Sequence, residues 1–137
     1  MDINKIIMTN KFDELKKGLY SYIGEVSKVI DGDTMDINVD LGFKIYTQNR
    51  FRIGNYTFDA PESFHPRNEL EHIHGLKAKA FATELLQDKK VIIHTYKLDI
   101  YGRWSCDITL PDGRDFVTVM KENGFQKNDD LYKIDNL

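Results

Sequence analysis

Three short stretches of this sequence carry side chains suited to a hard cation and a phosphate: Asp31-Gly32-Asp33-Thr34, Asp59-Ala60-Pro61-Glu62, and the arginines Arg52 and Arg103. By strand parity Asp33 belongs with Met35 and Ile37, on the apolar side of a strand and at its first position. A carboxylate there needs a partner, because an unpaired buried charge is costly. A cation is one solution and an arginine another; the competing account is that Asp31 and Asp33 only form a turn. Asp59 and Glu62 straddle Pro61, which fixes its own backbone and biases Ala60 toward an extended shape. The result is a stiff corner with two carboxylates, able to present the Ala60 carbonyl in a fixed direction. Carboxylates, a backbone carbonyl and waters are the ligand set that calcium takes. Two solvated acids at the start of a loop are the plainer account of the same residues. Phosphoryl transfer builds charge on equatorial oxygens, and planar guanidinium forks match that geometry. Arg103 follows Gly102 in a tight turn, and Tyr101 beside it is placed to stack on a base or bond a phosphate. Taken singly, each arginine also reads as an ordinary surface charge.

The elements that must position these groups follow from periodicity. Phe12, Leu15 and Leu19 at helical spacing, after Asn10 as cap, predict a short amphipathic helix. Residues 20–30 read as a strand, closed by the Asp31–Thr34 turn. Met35, Ile37, Val39 and Leu41 then alternate with polar residues. After Gly42 a third strand runs over 43–53, with Phe43, Ile45, Phe51 and Ile53 on one face and Lys44, Tyr46, Gln48, Arg50 and Arg52 on the other. A polar loop follows to about His74, then a helix over 76–87 carrying Ala78, Phe81, Ala82 and Leu85. Strands over 91–98 and 104–110, and a last helix capped by Asp115 and closed by Gly124, complete the order. Five short strands with a helix between the third and fourth predict a mainly β protein, an OB-type five-stranded barrel with two to three packed helices. Residues 1–20 read as an N-terminal helical extension, 21–125 as the barrel domain and 126–137 as a polar tail. Cys106 is read as a buried or half-buried strand residue, and Trp104 as a core residue in preference to a stacking platform.

The chain's 137 residues allow one domain, and 41% hydrophobic residues suffice for one core. No run is long enough to cross a bilayer, and Ile6-Ile7-Met8 is too short for the apolar core of a signal peptide. An intracellular protein is expected from the sequence as it stands, or a secreted one if a leader has been removed. A single cysteine excludes an internal disulfide. The formal net charge of −3 argues against bulk electrostatic attraction to nucleic acid. Positive charge is nevertheless concentrated centrally, where four of the five arginines lie. His65, His72 and His74 crowd one stretch with Glu69 and Glu71, but at no spacing typical of zinc; a solvated loop is the expectation.

Taken in order, Val29-Ile30-Asp31-Gly32-Asp33-Thr34, Phe51-Arg52, Asp59-Ala60-Pro61-Glu62, His65-Pro66, Gly75 before an alanine-rich helix, and Asp99-Ile100-Tyr101-Gly102-Arg103 resemble the staphylococcal nuclease (thermonuclease) family. The coincidence of several short motifs is far more specific than any one of them. The resemblance implies a calcium-dependent nuclease, a hydrolase of DNA or RNA phosphodiester bonds that leaves 3′-phosphates. It places Ca2+ on Asp33, Asp59 and the carbonyl of Ala60. It makes Glu62 the group that positions or deprotonates the attacking water, and Arg52 and Arg103 the phosphate ligands. Seven positions separate Arg52 from Asp59, two more than the family pattern. Two added residues preserve strand parity, and Arg50 on the same face is a further candidate substrate contact, with Tyr101. Only Tyr132 lies in the tail where the family has tyrosines that flank the nucleotide. DNA or RNA is the implied partner, no membrane contact is expected, and the chain is expected to act as a monomer. The alternative is a nuclease-like OB module that binds nucleic acid or protein without cutting.

Overall fold

Alternating burial along the strands builds the barrel. In β2 (Thr34–Asp40), Met35, Ile37 and Val39 are buried while the residues between them reach solvent. The computed structural model describes residues 3–54, 57–63, 66–96 and 104–127. Around β2 it places α1 (Ile3–Lys16), β1 (Ser21–Asp31), β3 (Tyr46–Ile53), α2 (Glu69–Leu86), β4 (Lys90–Tyr96), β5 (Trp104–Thr109) and α3 (Phe116–Glu122). The strands close in the order β1-β2-β3-β5-β4. Closure depends on the length of β1, which pairs with β2 along most of its course and with β4 over Ser21–Glu25. Two bulges in β1, between Val26 and Lys28 and between Val29 and Asp31, sharpen its twist as a small barrel requires. The last seam is a three-residue parallel pairing of Phe51–Ile53 with Trp104–Cys106. The expected five-stranded OB-type barrel with packed helices is therefore present.

The core runs through the barrel and out under two helices. Ala78, Ala82 and Leu86 of α2 are wholly buried, as are Phe116 and Met120 of α3. Phe58 joins them edge-on to Phe116, with ring centroids 6.5 Å apart. Gly32, in the β1–β2 turn, sits where these layers meet. A Cβ there would lie 2.9 Å from the Cβ of Ala60 and 3.2 Å from that of Ala78. The acidic turn is thus pressed against both the Asp59 loop and α2.

Several boundaries differ from the sequence reading. α2 begins at Glu69, seven residues before the predicted start, because Asn68 caps it by accepting the Glu71 amide at 2.9 Å. Its first two turns carry too few apolar residues to show a helical period, and Gly75 lies inside the helix instead of before it. α1 is already helical at Ile3, so Asn10 is a mid-helix residue and caps nothing. Phe12, Leu15 and Leu19 are exposed. β3 starts at Tyr46, because Gly42, Phe43 and Lys44 all take positive φ in a tight turn. Phe43 (97% exposed) and Ile45 therefore leave the inner face they were assigned. Cys106 is fully buried, as expected, but Trp104 is 42% exposed at the rim of the barrel.

Candidate active site

The three acidic and basic stretches come together at one end of the barrel. Asp33 is 4% exposed at the start of β2, where its carbonyl accepts the Ile53 amide at 2.8 Å. Its carboxylate is fully engaged: Oδ1 accepts the Thr34 hydroxyl at 3.0 Å, and Oδ2 accepts the Ala60 amide at 2.9 Å. Oδ2 also forms a close ion pair with Nη1 of Arg52. The other arm of Arg52, Nη2, donates to the Phe58 carbonyl at 3.0 Å and reaches Asp59 Oδ1 at 3.4 Å. One guanidinium thus joins two carboxylates from segments 26 positions apart in the chain. Asp33 is nearly buried, whereas the Asp59 side chain is half exposed.

Arg52 is the last residue but one of β3, and the chain turns directly after that strand. Gly54 takes a φ of +95° and its carbonyl accepts the Thr57 amide at 2.7 Å, turning the chain back before Phe58. Arg50, one pleat earlier, is committed elsewhere: its Nε and Nη2 meet the two oxygens of Asp36 at 2.8 and 3.2 Å. That fork holds the Asp36 carboxyl below its ordinary range. Arg50 is thus not at the Asp33–Asp59 cluster. Tyr101 and Arg103 lie outside the described residues, as do His65 and Tyr132.

Glu62 is half-buried in the same loop. Burial raises its carboxyl above the ordinary range, and the charges of Asp33, Asp31 and Asp59 push the same way against a smaller pull from Lys127. Its backbone is held on three sides. Asp31 Oδ1 accepts both the amide (3.3 Å) and the hydroxyl of Ser63. His72 Nδ1 lies 3.2 Å from the Ser63 carbonyl, and a Cβ on Gly75 would sit 2.5 Å from the Glu62 carbonyl oxygen. The missing Cβ of Gly75 is what lets α2 lie directly on the Glu62–Ser63 peptide.

A further brace comes from the segment after α3. Lys127 donates its amide to the Asp59 carbonyl at 2.7 Å, and Gln126 Oε1 accepts the Asp59 amide at 3.4 Å. The Lys127 ammonium faces Glu71 Oε2 at 3.6 Å, opposite Arg67 at 3.5 Å. Glu71 is fully buried, and these two cations neutralise it from beyond hydrogen-bond reach. Sequence reading missed Glu71, Gln126, Lys127 and the Asp31–Ser63 pair. The only local signal was Asn68 three residues before Glu71, a capping-box spacing.

The donor set fits a hard cation in kind. Asp33 and Asp59 face a single positive group, and the Ala60 amide next to Asp59 donates to Asp33; the Ala60 carbonyl would be a third oxygen donor. Among the described residues no three His, Cys, Asp or Glu side chains are grouped so as to hold an ion by themselves. A cation here would therefore rest on two carboxylates, a carbonyl and water. His72 and His74 turn to different backbone partners: His74 Nε2 lies 3.0 Å from the Gly124 carbonyl, and His72 Nδ1 lies 3.2 Å from that of Ser63.

A closed five-stranded barrel with packed helices, carrying carboxylates and an arginine where β2 begins and β3 ends, defines an OB fold of the staphylococcal nuclease type. The profile of the staphylococcal nuclease homologue family matches residues 52–135, and the chain belongs to that family. The matched span includes Arg52, Asp59, Glu62 and Arg103 and begins after Asp33. No curated protein matches the chain. Among the described residues no helix is long and apolar enough to cross a membrane.

Proposed function

We propose that this protein is a calcium-dependent nuclease that hydrolyses phosphodiester bonds of DNA or RNA and leaves 3′-phosphates. One observation carries the reading: Asp33 and Asp59 converge on the guanidinium of Arg52, with Glu62 half-buried beside them. On this reading Asp33, Asp59 and the Ala60 carbonyl would hold the calcium ion, which would supply Lewis-acid polarisation of the scissile phosphate. The residues do the rest. Glu62 takes a proton from the attacking water, and its raised basicity suits that task. Hydroxide attacks phosphorus, and the bond to the 5′ oxygen breaks. Arg52 presents a planar fork to the equatorial oxygens as negative charge grows on them. Arg103 is assigned the second guanidinium and the proton for the leaving oxygen. Seating the phosphate requires Arg52 to loosen its hold on Asp33, and a divalent cation on the two carboxylates compensates that loss.

The test is digestion of single-stranded DNA and of RNA with calcium and then with chelator. Cleavage that needs calcium, yields 3′-phosphate ends and falls at least about 100-fold in Glu62→Ala and Arg103→Ala supports the proposal. Full cleavage in chelator, or in either variant, overturns it. Strand binding without any cleavage would point to the non-cutting OB module.

A further inference from the structure

We infer that the open mouth of the barrel, at the end away from Asp33, is a subsite that takes a nucleobase of the bound strand. The inference rests on the nuclease reading for the identity of that strand. A cleft of about 330 Å3 opens there, walled by Tyr22, Phe51, Tyr96 and Trp104, with Thr47 and Asn49 on one side. At the other end of the barrel the inward positions are filled: Met35, Ile37 and Ile53 are wholly buried. Along β3 the inward row runs Ile53, Phe51, Asn49, Thr47, and burial falls away at the last two. A barrel this small closes its interior with large apolar side chains. Here two short polar residues stand in their place, and space remains.

The chemistry of the walls selects the ligand. Among the described residues none that lines the cleft is charged, which suits it to the neutral part of a nucleotide better than to a phosphate. Of its four aromatic side chains Trp104 is the most open and Phe51 is buried, and any base can stack on an aromatic face whatever its hydrogen-bonding edge. Asn49 Nδ2 donates to the Thr47 hydroxyl at 3.1 Å, which makes one polar spot on an otherwise apolar wall for the edge of the base. Ligand sites of this size and make-up recur in the mouths of β-barrels. The location also fits. Phe51 precedes Arg52 in β3, and the parallel register sets Trp104 of β5 against Phe51. The rim of the cleft therefore adjoins the strand position that carries the phosphate-binding arginine. Trp104 is the only tryptophan of the chain, and its ring is left 42% exposed at this rim.

Trp104 is its own reporter. The intact chain is titrated with single-stranded oligothymidylate and with an abasic strand of equal length and charge. Titrations are run in chelator, and again with calcium on the Glu62→Gln chain. Tryptophan emission should be quenched by the first strand and not the second, and the abasic strand should bind about ten-fold more weakly. Thr47→Phe fills the mouth without removing a wall. By anisotropy of labelled strands it should abolish that ten-fold preference, while the far-UV circular dichroism and melting temperature stay as in the parent. Equal affinity for both strands in both settings overturns the inference, as does a preference that survives Thr47→Phe in a folded chain. The readouts separate from the nuclease reading. A chain that shows the quench but never cleaves keeps the subsite and loses the proposed activity. A chain that cleaves both strands alike with no quench keeps the activity and loses the subsite.

Discussion

Gly75→Ala is the sharpest probe of how the fold holds Glu62. Gly75 lies in the interior of α2, where glycine is less favourable than alanine by about 1 kcal/mol. Were helix propensity the whole account, the alanine chain would gain about that much stability. The structure predicts the opposite sign. A Cβ at this position would stand 2.5 Å from the Glu62 carbonyl oxygen, 2.6 Å from its carbon and 2.8 Å from the Ser63 nitrogen. All three are backbone atoms, so no side chain can swing away. Ordinary contact begins near 3.4 Å, and the Glu62–Ser63 peptide must move by about 0.9 Å to restore it. The Ser63 amide of that peptide is tied to Asp31, and the following carbonyl, that of Ser63, lies against His72, so the motion disturbs those contacts as well. Overpacking of this kind costs about 1–3 kcal/mol. Against the helix gain, a net loss of about 0–2 kcal/mol remains, small enough for the chain to stay folded. Catalysis suffers more, since displacing a reacting group by about 1 Å lowers rates about 100-fold. Urea unfolding and single-stranded DNA hydrolysis in calcium measure the two effects. The expected pattern is a near-normal midpoint, kcat down about 100-fold and KM little changed. A chain stabilised by about 1 kcal/mol with unaltered kcat would show that α2 does not bear on the peptide as described.

Two further substitutions test the electrostatics. Glu62→Gln should abolish hydrolysis and yet strengthen the fold. The folded chain raises the Glu62 pKa, so this carboxyl favours folding only below its unfolded value and loses that contribution as pH rises through the raised one. Unfolding in chelator across a pH series should therefore show little difference between the chains in acid and an advantage for the glutamine chain at neutral pH; a glutamine chain weaker at neutral pH contradicts this. Arg52→Met strands Asp33, whose side chain is 6% exposed, and should cost about 3–5 kcal/mol in chelator. Calcium should restore part of that loss by mass action, read as a rise in melting temperature, and an unchanged chelator stability would remove Arg52 from the account.

The parts of this fold that were legible in the sequence are those whose signal is local. The period of two in Met35, Ile37 and Val39 comes from the pleat itself, and Asp33 shares that parity, so its burial could be read directly. Asp115 announced its helix because a cap is a contact between near neighbours, here with the Thr118 amide at 3.0 Å. What failed was fixed by contacts distant in the chain. The early start of α2 was hidden because its first turns bury Glu71, a residue that no hydropathy pattern assigns to an interior. Glu71 goes inside only because Lys127, 56 positions later, and Arg67 bring charge to it. The inner position of Thr47 and Asn49, by contrast, was legible, though only through their neighbours. Polar residues on an inward row look like the outward row of a strand in the other register, and only the buried Phe51 and Ile53 farther along decide between them. At the site, chain order showed that Asp33, Arg52 and Asp59 resembled a family pattern. The bond from one guanidinium to both carboxylates could not be read from it.

That bond also resolves a difficulty common to sites built for divalent cations. Carboxylates gathered for an ion repel one another without it, and small metal domains often unfold when stripped. Here Asp31, Asp33, Asp59 and Glu62 all crowd one end of the barrel, and the first three are relieved by groups of the chain itself. Arg52 neutralises Asp33 and faces Asp59, the Ser63 hydroxyl and amide engage Asp31, and Glu62 answers with a raised pKa. The barrel therefore carries its own counter-ion. On the proposed reading the same arrangement couples the two ligands of the reaction. Asp33 would hold calcium with the oxygen that now pairs with Arg52, and the guanidinium so freed would be the one that a phosphate needs. Each ligand offsets the charge that the other leaves unpaired, so each favours the binding of the other by the same factor. Arg52 is then a structural ion pair in the resting protein and a phosphate ligand in the loaded one, and the exchange between those roles is set by the two carboxylates it now holds.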